Sequence, residues 1–258
     1  MKIVITGSRG FSGSALMKLL PQHKIVEYDT KIDKDISQFE IKKDTDFVVH
    51  LAALMDIRDS INHPELYWEQ NVEYTKKIFK ECSEAAIPMI YASSAAAKVW
   101  HLSPYGTTKK VCEELAPKGT VGLRFETVYG EGSSDFGLYG RIKSNQLKYK
   151  TNHIRDFVHV DDIAECLKMF INMKQYIFNL KPIYEIGTGI EHSVCDVVEA
   201  FKVDVPLTSE KTPYETDRSV ADISAINALG WEAKRSIYDE CNNETFFYNV
   251  LEERGEFD

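Results

Sequence analysis

Three things are scarce in this chain of 258 residues: long apolar runs, paired cysteines and an excess of positive charge. No apolar stretch approaches the ~20 residues that a bilayer-spanning helix needs, and the N-terminus lacks the features of a secretory signal. The five cysteines are scattered and odd in number, which indicates reduced thiols in a cytoplasmic protein. With 31 basic and 40 acidic residues, the net charge of −9 argues against nucleic-acid or membrane partners.

What is present suits an ordinary folded protein. Apolar residues make up 43% of the chain, which is enough for a sizeable core and argues against disorder. The length fits one large domain, or a domain with a smaller lobe. We find no internal repeat or low-complexity segment, and we predict no metal site.

The first 29 residues contain a recognisable motif. The β-branched run Lys2–Thr6 predicts a strand, the glycines of 7–13 follow it, and a helix then leads to a second strand ending at Asp29. This order matches a dinucleotide-binding unit. Asp29 can accept hydrogen bonds from ribose hydroxyls and would repel a 2′-phosphate, which favours NAD as cofactor. Arg9 and Lys31 leave NADP as the less favoured alternative.

Predicted strands and helices alternate along the rest of the chain. We predict further strands at 46–51, 88–92, 121–125 and 183–186, and helices at 65–85, 104–116 and 160–173. This alternation predicts an α/β fold, a Rossmann-type doubly wound parallel sheet with a small C-terminal substrate-binding lobe. We assign residues 1–129 to the NAD-binding core, with 156–187 returning to it, and most of 130–258 to the lobe.

A second constellation lies in the middle of the chain. Ser94 follows a predicted strand, and Tyr105 and Lys109 lie one turn apart on one helix face. A lysine ammonium there favours tyrosinate, so that Tyr105 becomes a usable general base near neutral pH. Ser94 can hold the substrate oxygen. The alternative is a surface Tyr–Lys pair on an amphipathic helix.

These motifs, in this order, resemble the extended short-chain dehydrogenase/reductases, the NAD-dependent epimerase/dehydratase family acting on nucleotide sugars. The resemblance rests on segments spread through most of the chain: 6–13, 46–53, 71–75, 91–94, 105–109, 123–130, 155–162, 184–189, 221–224 and 229–231.

The resemblance implies a role for each matching position. Ser94, Tyr105 and Lys109 correspond to the catalytic triad. Cofactor contacts are implied for Gly7, Arg9, Gly10, Phe11, Ser12, Gly13, Asp29, Asp35, Ile36, Leu51, Ala52, Ala53, Tyr105 and Lys109. Substrate contacts are implied for Ser94, Thr127, Arg155, Lys211 and Arg218. We expect Arg124 and Asp161 to form fold-holding ion pairs, His50 and His159 to be core or strand-end histidines, and Asn71 to fix a helix near the site.

Some positions depart from the family pattern. Ala95 and Ala96 stand where dehydratases carry an Asp-Glu pair, and methyl groups cannot transfer protons, so a 4,6-dehydratase is disfavoured. Thr127 replaces a substrate-contacting Asn. Lys211 stands near a usual Arg, for which Arg218 is a possible substitute. The segment 130–155 is compact. These changes affect the choice of sugar and nucleotide more than the redox chemistry.

The leading hypothesis is therefore an NAD-dependent nucleotide-sugar epimerase acting at C4 through transient oxidation to a keto-sugar. The alternatives are an NAD(P)-dependent sugar dehydrogenase or ketoreductase with net redox turnover, and a non-catalytic NAD-binding interaction protein. The helices at 65–85 and 104–116 match those that form a four-helix dimer interface in the family, so the resemblance also implies a homodimer.

Overall fold

A six-stranded parallel sheet forms the centre of the molecule, in the order β2-β1-β3-β4-β5-β9. The structure is a computed structural model and describes residues 1–135, 137–208 and 212–241. The strands of this sheet are β1 (Lys2–Thr6), β2 (Lys24–Tyr28), β3 (Phe47–His50), β4 (Met89–Ser94), β5 (Thr120–Phe125) and β9 (Ile183–Ile186). The predicted Rossmann-type parallel sheet is confirmed.

Helices lie on both faces of this sheet and around two smaller sheets described below. They are α1 (Phe11–Lys18), α2 (Ile57–Asn62), α3 (Pro64–Trp68), α4 (Tyr74–Glu84), α5 (Pro104–Leu115), α6 (Leu138–Lys143), α7 (Val160–Asn172), α8 (Val194–Ala200), α9 (Ser224–Asn227) and α10 (Ile237–Cys241). The predicted helix at 65–85 corresponds to α3 and α4, which are joined by a π-helical turn over Glu69–Glu73.

The alternation of side chains along each strand builds two apolar layers. Ile3 and Ile5 of β1 lie in one buried cluster with Leu16 of α1, whereas Val4 lies in the other cluster with Phe79 of α4. Because successive strand residues point to opposite faces, a continuous apolar run of this kind fits a strand covered on both sides.

The order of strands reverses between β1 and β3: α1 leads from β1 to β2 on one side of β1, and the chain then returns to β3 on the other side. In open α/β sheets, the crevice at such a reversal, beyond the carboxyl ends of the strands, is where ligands bind. Between β2 and β3 the chain forms only short 3₁₀ turns, Thr30–Ile32 and Ile36–Gln38.

Two smaller sheets lie beyond the carboxyl edge. One pairs β6 (Thr127–Tyr129) with β8 (Phe157–His159), and the other has the order β10-β7-β11, formed by His192–Ser193, Ile154–Arg155 and Arg218–Ser219. A third apolar cluster, which includes Tyr139 and Val197, packs around them. Ile226 and Trp231 pack instead on the central core. Within the described ranges, the structure has no helix that is long and apolar enough to cross a membrane.

Candidate active site

The glycine turn between β1 and α1 forms one end of a cavity of about 670 Å³. Gly7 has a φ of +69°, a conformation that costs an L side chain ~1–2 kcal/mol, and a Cβ there would lie 2.7 Å from the Ala52 nitrogen. A Cβ on Gly13 would lie only 2.0 Å from the Gly7 oxygen. The turn therefore closes only with glycine at both positions.

This closure leaves the start of α1 open to the cavity. α1 begins at Phe11, and no side chain among the described residues caps it. Uncapped N–H groups at a helix N-terminus form a ready site for a phosphate group. Gly10, Phe11 and Ser12 line the cavity here, so the residues present fit a dinucleotide pyrophosphate.

Asp29 lies at the end of β2, where the sequence predicted it, and lines the cavity with Asp35 and Ile36. Its carboxylate oxygens accept hydrogen bonds from the backbone N–H groups of Arg9 and Lys31, both at 2.9 Å. The Arg9 guanidinium turns away to Glu27, at 2.7 Å, and Arg9 does not line the cavity. The predicted cofactor contact of the Arg9 side chain is therefore not supported by the geometry.

The loop after β3, which contains Leu51, Ala52 and Ala53, forms the next part of the cavity wall. Asn71 holds this loop, because its Oδ1 accepts from Leu54 N at 2.8 Å and its Nδ2 donates to Leu54 O at 2.9 Å. Asn71 Nδ2 also donates to Thr108 on α5. The predicted positioning role of Asn71 is confirmed.

Ser94, Tyr105 and Lys109 meet at the centre of the cavity wall. Ser94 ends β4, and its Oγ accepts from Ala96 N at 3.2 Å. Lys109 Nζ donates to Ala92 O at 2.8 Å and lies 5.8 Å from the Tyr105 ring centroid.

The start of α5 fixes the position of Tyr105. Ser103 caps the helix by accepting from Gly106 N at 3.0 Å, and Pro104 occupies the first helical position. A Cβ on Gly106 would lie 2.9 Å from Ala96 O, so glycine lets the helix approach the loop that follows Ser94.

Burial governs the proton affinities at this centre. It lowers the pKa of Lys109 to about 8. It raises the pKa of Tyr105, and the hydrogen bond from Ser94 offsets this only in part. The sequence predicted a lowered pKa for Tyr105, whereas in this structure burial raises it. The Lys109 ammonium does not counter this effect, because it donates to Ala92 O rather than to the phenol.

The far end of the cavity is lined by charged side chains from the loops and the small sheets. Arg155 Nη2 lies 3.4 Å from Glu215 Oε2, and Arg58 Nη2 lies 3.6 Å from Glu215 Oε1. Arg141 on α6 and Thr127 on β6 line the same wall. The structure thus gathers two predicted substrate residues, Thr127 and Arg155, at one end of the cavity.

The other two cations predicted here differ in outcome. Arg218 is paired with Glu191, its side chain is 61% exposed, and it does not line the cavity. The structure therefore does not place Arg218 where the predicted substrate contact requires it. Its position on the outer strand β11 turns it towards solvent. Lys211 lies outside the described residues.

Sequence reasoning missed Arg58, Arg141, Glu126 and Glu215. Arg58 lies five residues after Ala53, and Glu126 lies directly before Thr127. Since Ala53 and Thr127 are predicted site residues, closeness in sequence could have indicated both. Glu215 falls in an irregular stretch without a motif, and no signal was available for it.

The charged residues that were expected to hold the fold are mostly placed as predicted. Arg124 forms a two-pronged pair with Glu113, with both distances at 2.7 Å, and confirms its structural role. His50 lies buried between Thr6 and Thr75. At the start of α7, it is Asp162 rather than Asp161 that is buried and accepts the backbone N–H groups of residues 234 and 235.

Fold and site together define an enzyme that uses a dinucleotide cofactor, with a Ser-Tyr-Lys constellation beside the cofactor cleft. The sequence profile of the "NAD dependent epimerase/dehydratase family" matches residues 3–187. The chain therefore belongs to this family of NAD-dependent enzymes, and NAD is its cofactor.

Individual relatives agree with this assignment. The chain is 28% identical to a putative UDP-glucose 4-epimerase of Methanocaldococcus jannaschii, over 89% of this chain and 92% of the relative. It is 26% identical to UDP-glucose 4-epimerase 3 of Oryza sativa subsp. japonica, over 92% and 77%. The UDP-glucuronic acid 4-epimerase of Bacillus cereus, solved with UDP-glucuronic acid and NAD, shares the fold with a TM-score of 0.82 at 24% identity, over 97% and 99%.

Proposed function

We propose that this enzyme is a nucleotide-sugar epimerase that inverts C4, with UDP-hexoses as the first substrates to test. One observation carries the proposal: Ser94, Tyr105 and Lys109 converge between the glycine turn and the arginine-lined end of the same cavity. The relatives named UDP-glucose 4-epimerase support the choice of nucleotide and carbon.

The nucleotide diphosphate is anionic, and this chain carries a net charge of −9, so attraction must be local. Arg155 and Arg58 supply it, since planar guanidinium groups bind phosphate oxygens in pairs. Burial lowers the pKa of Arg155 but leaves a guanidinium charged, because its ordinary pKa lies far above neutral pH. Thr127 offers a hydroxyl on the same wall.

The cofactor is held at the opposite end. Gly7, Gly10 and Gly13 with the start of α1 receive the pyrophosphate, and Asp29 and Asp35 face the adenosine. When bound, NAD supplies a hydride acceptor and a positively charged nicotinamide ring.

Tyr105 and Ser94 handle the proton and the oxygen. Tyr105 Oη takes the proton from the sugar hydroxyl as the hydride of the same carbon leaves for the acceptor. After the keto-sugar has rotated to present its opposite face, the hydride returns to that carbon and Tyr105 gives the proton back to its oxygen. Ser94 donates a hydrogen bond to the carbonyl oxygen. The cationic Lys109, together with the nicotinamide charge, stabilises the tyrosinate that burial alone disfavours.

The Tyr105→Phe variant tests this assignment. We expect epimerisation of UDP-glucose to fall by ~10²–10⁴-fold, the usual contribution of a positioned base, while native mass spectrometry still shows retained NAD. Tyr129→Phe is the matched control, because the Tyr129 hydroxyl has no hydrogen-bond partner in the described structure and lies outside the cavity. Normal turnover by Tyr105→Phe would show that the base is another residue.

The same assay separates the remaining alternatives. NADH absorbance that accumulates with substrate identifies a net dehydrogenase, whereas product formation without accumulation identifies an epimerase. Binding of UDP-sugars without turnover across a panel identifies a non-catalytic NAD-binding protein. The dehydrogenase outcome and the non-catalytic outcome would each replace the proposal. Both have to be tested, since the triad geometry alone serves all redox variants of the reaction.

We also propose a homodimer formed through α3 and α5. Leu66 and Trp68 of α3 and Leu115 of the adjacent α5 are each at least 42% exposed, and a second copy that covered them would remove this apolar surface from water. A dimeric mass by light scattering supports the proposal, and a monomeric mass at micromolar concentration contradicts it.

A further inference from the structure

A second, smaller cavity of about 140 Å³ lies against the candidate catalytic centre. It shares Ser94, Thr127 and Arg155 with the large cavity, and Ala95 and Ala96 form part of its wall. Because Ser94 lines both cavities, a sugar whose reacting oxygen contacted Ser94 would have room in the small cavity for the substituent of a neighbouring ring carbon. The chemistry of the small cavity therefore bears on which sugars can react.

Two carboxylates line the small cavity, Glu126 and Glu215. Among the described residues that line it, Arg155 is the only cation, and Arg155 already faces Glu215 at 3.4 Å. Under the proposed function Arg155 also meets the diphosphate. No lining cation that the structure describes is thus left for a further anionic group.

Glu126 is fixed in this wall by neighbours on both sides. Its Oε2 accepts from Ser219 Oγ at 2.6 Å, and Ser219 itself lines the cavity. Its Oε1 accepts from Lys98 Nζ at 3.0 Å, but Lys98 also serves Glu185 at 2.9 Å. The Glu126 side chain is 1% exposed, so water screens its charge poorly.

The carboxylates behind Glu126 outnumber the cations that can pair with them. Glu185 is shared between Lys98 and Arg124, and Arg124 is also paired with Glu113. In this connected group, three carboxylates share two cations. Burial raises the pKa of Glu126, which shows that the site already disfavours one negative charge. A second carboxylate beside it is disfavoured further.

Building on the epimerase function, we propose that Glu126 selects against nucleotide-linked uronic acids and restricts the enzyme to neutral sugars. The carboxylate of a hexuronate would be buried next to Glu126 and Glu215 without a cation of its own. The hydroxymethyl group of a hexose brings no charge and fits the small polar cavity. Bringing like charges together in this way weakens binding of the uronate.

The test compares UDP-glucose with UDP-glucuronic acid on the NAD-loaded enzyme. We expect the ratio of kcat/KM values to favour UDP-glucose by ~100-fold or more, and Glu126→Gln to lower that ratio by ~10-fold through better use of the uronate. Glutamine keeps an oxygen that accepts from Lys98, and its NH2 group can donate to the Ser219 hydroxyl. Retained NAD and an unchanged melting temperature show that the variant is folded.

Glu185→Gln is the matched control, because Glu185 pairs with the same Lys98 but lines neither cavity. Because this change frees Lys98 for Glu126 but leaves the Glu126 carboxylate in the cavity wall, we expect it to lower the ratio by less than Glu126→Gln does. Equal use of both sugars by the unaltered enzyme overturns the inference, and so does an unchanged ratio in Glu126→Gln. If neither sugar is epimerised, the proposed function fails, and the ratio of calorimetric dissociation constants for the two sugars still decides the selectivity.

Discussion

The two ends of the large cavity are built in different ways. At the cofactor end, glycines, backbone N–H groups and small apolar side chains form most of the wall, and its carboxylates Asp29 and Asp35 accept hydrogen bonds from backbone N–H groups. At the substrate end, the wall carries Arg58, Arg141, Arg155 and Glu215. Shape therefore defines the cofactor end, and paired charges define the substrate end.

The two ends of the cavity also differ in how far apart their residues lie along the chain. The glycine turn and Asp29 come from one strand-turn-helix-strand unit that begins at Lys2. The substrate end joins α2, α6, β7 and the segment before β11, so that Arg58 and its partner Glu215 are far apart in sequence. The first end is a local structure, whereas the second exists only after the whole chain has folded.

Gly13→Ala gives the largest expected effect, and it acts at the cofactor end. The added methyl group would lie 2.0 Å from Gly7 O and 2.9 Å from Ser8 C, which are backbone atoms that cannot move without opening the turn. We expect a loss of ~3 kcal/mol or more in the free energy of unfolding, together with loss of NAD binding. Thermal denaturation and native mass spectrometry measure the two effects.

Gly137→Ala is the control at the substrate end. Among the described residues other than its chain neighbours, the atom nearest to a Cβ on Gly137 is Ser134 O, at 3.9 Å. The φ of Gly137 is −86°, which suits an L residue. We expect a change of less than ~0.5 kcal/mol. Equal destabilisation by both variants would contradict the idea that close packing of the backbone defines only the cofactor end.

The same distinction explains what could be predicted from the sequence. The glycine turn, Asp29 and the Tyr105–Lys109 pair depend on spacing within one unit or one helix, and periodicity reveals such spacing directly. The ion pair of Arg58 with Glu215 depends on how distant loops meet, which no local pattern encodes. Arg218 was suggested by the resemblance as a substitute for a usual Arg, but its side chain lies against Glu191 at the surface, and a family pattern does not fix the direction of a side chain.

Arg155→Gln tests the charged end. We expect KM for UDP-glucose to rise by ~100-fold, equivalent to ~2.7 kcal/mol, with NAD retained, because the guanidinium lies at the substrate end of the cavity and away from the glycine turn. Steady-state kinetics measure this effect. Arg218→Gln is the control, since Arg218 pairs with Glu191 on the surface, and KM should not change. Loss of NAD with KM intact would place Arg155 at the wrong end.

His50 offers the smallest effect and extends the comparison to pH. It lies under the cofactor end between Thr6 Oγ1 at 2.6 Å and Thr75 Oγ1 at 2.8 Å, and burial lowers its pKa to about 3. Its ordinary pKa in the unfolded chain is 6.5, so the unfolded state binds the proton first. The stability that the neutral imidazole provides is complete above pH 6.5 and is lost as the pH falls towards 3, by ~2 kcal/mol at pH 5. His50→Gln, whose amide can still donate and accept, should flatten this loss in denaturant titrations between pH 7 and pH 5, whereas the exposed His101→Gln should not. A steep acid loss that persists in His50→Gln would assign the acid sensitivity to the charged groups of the substrate end instead.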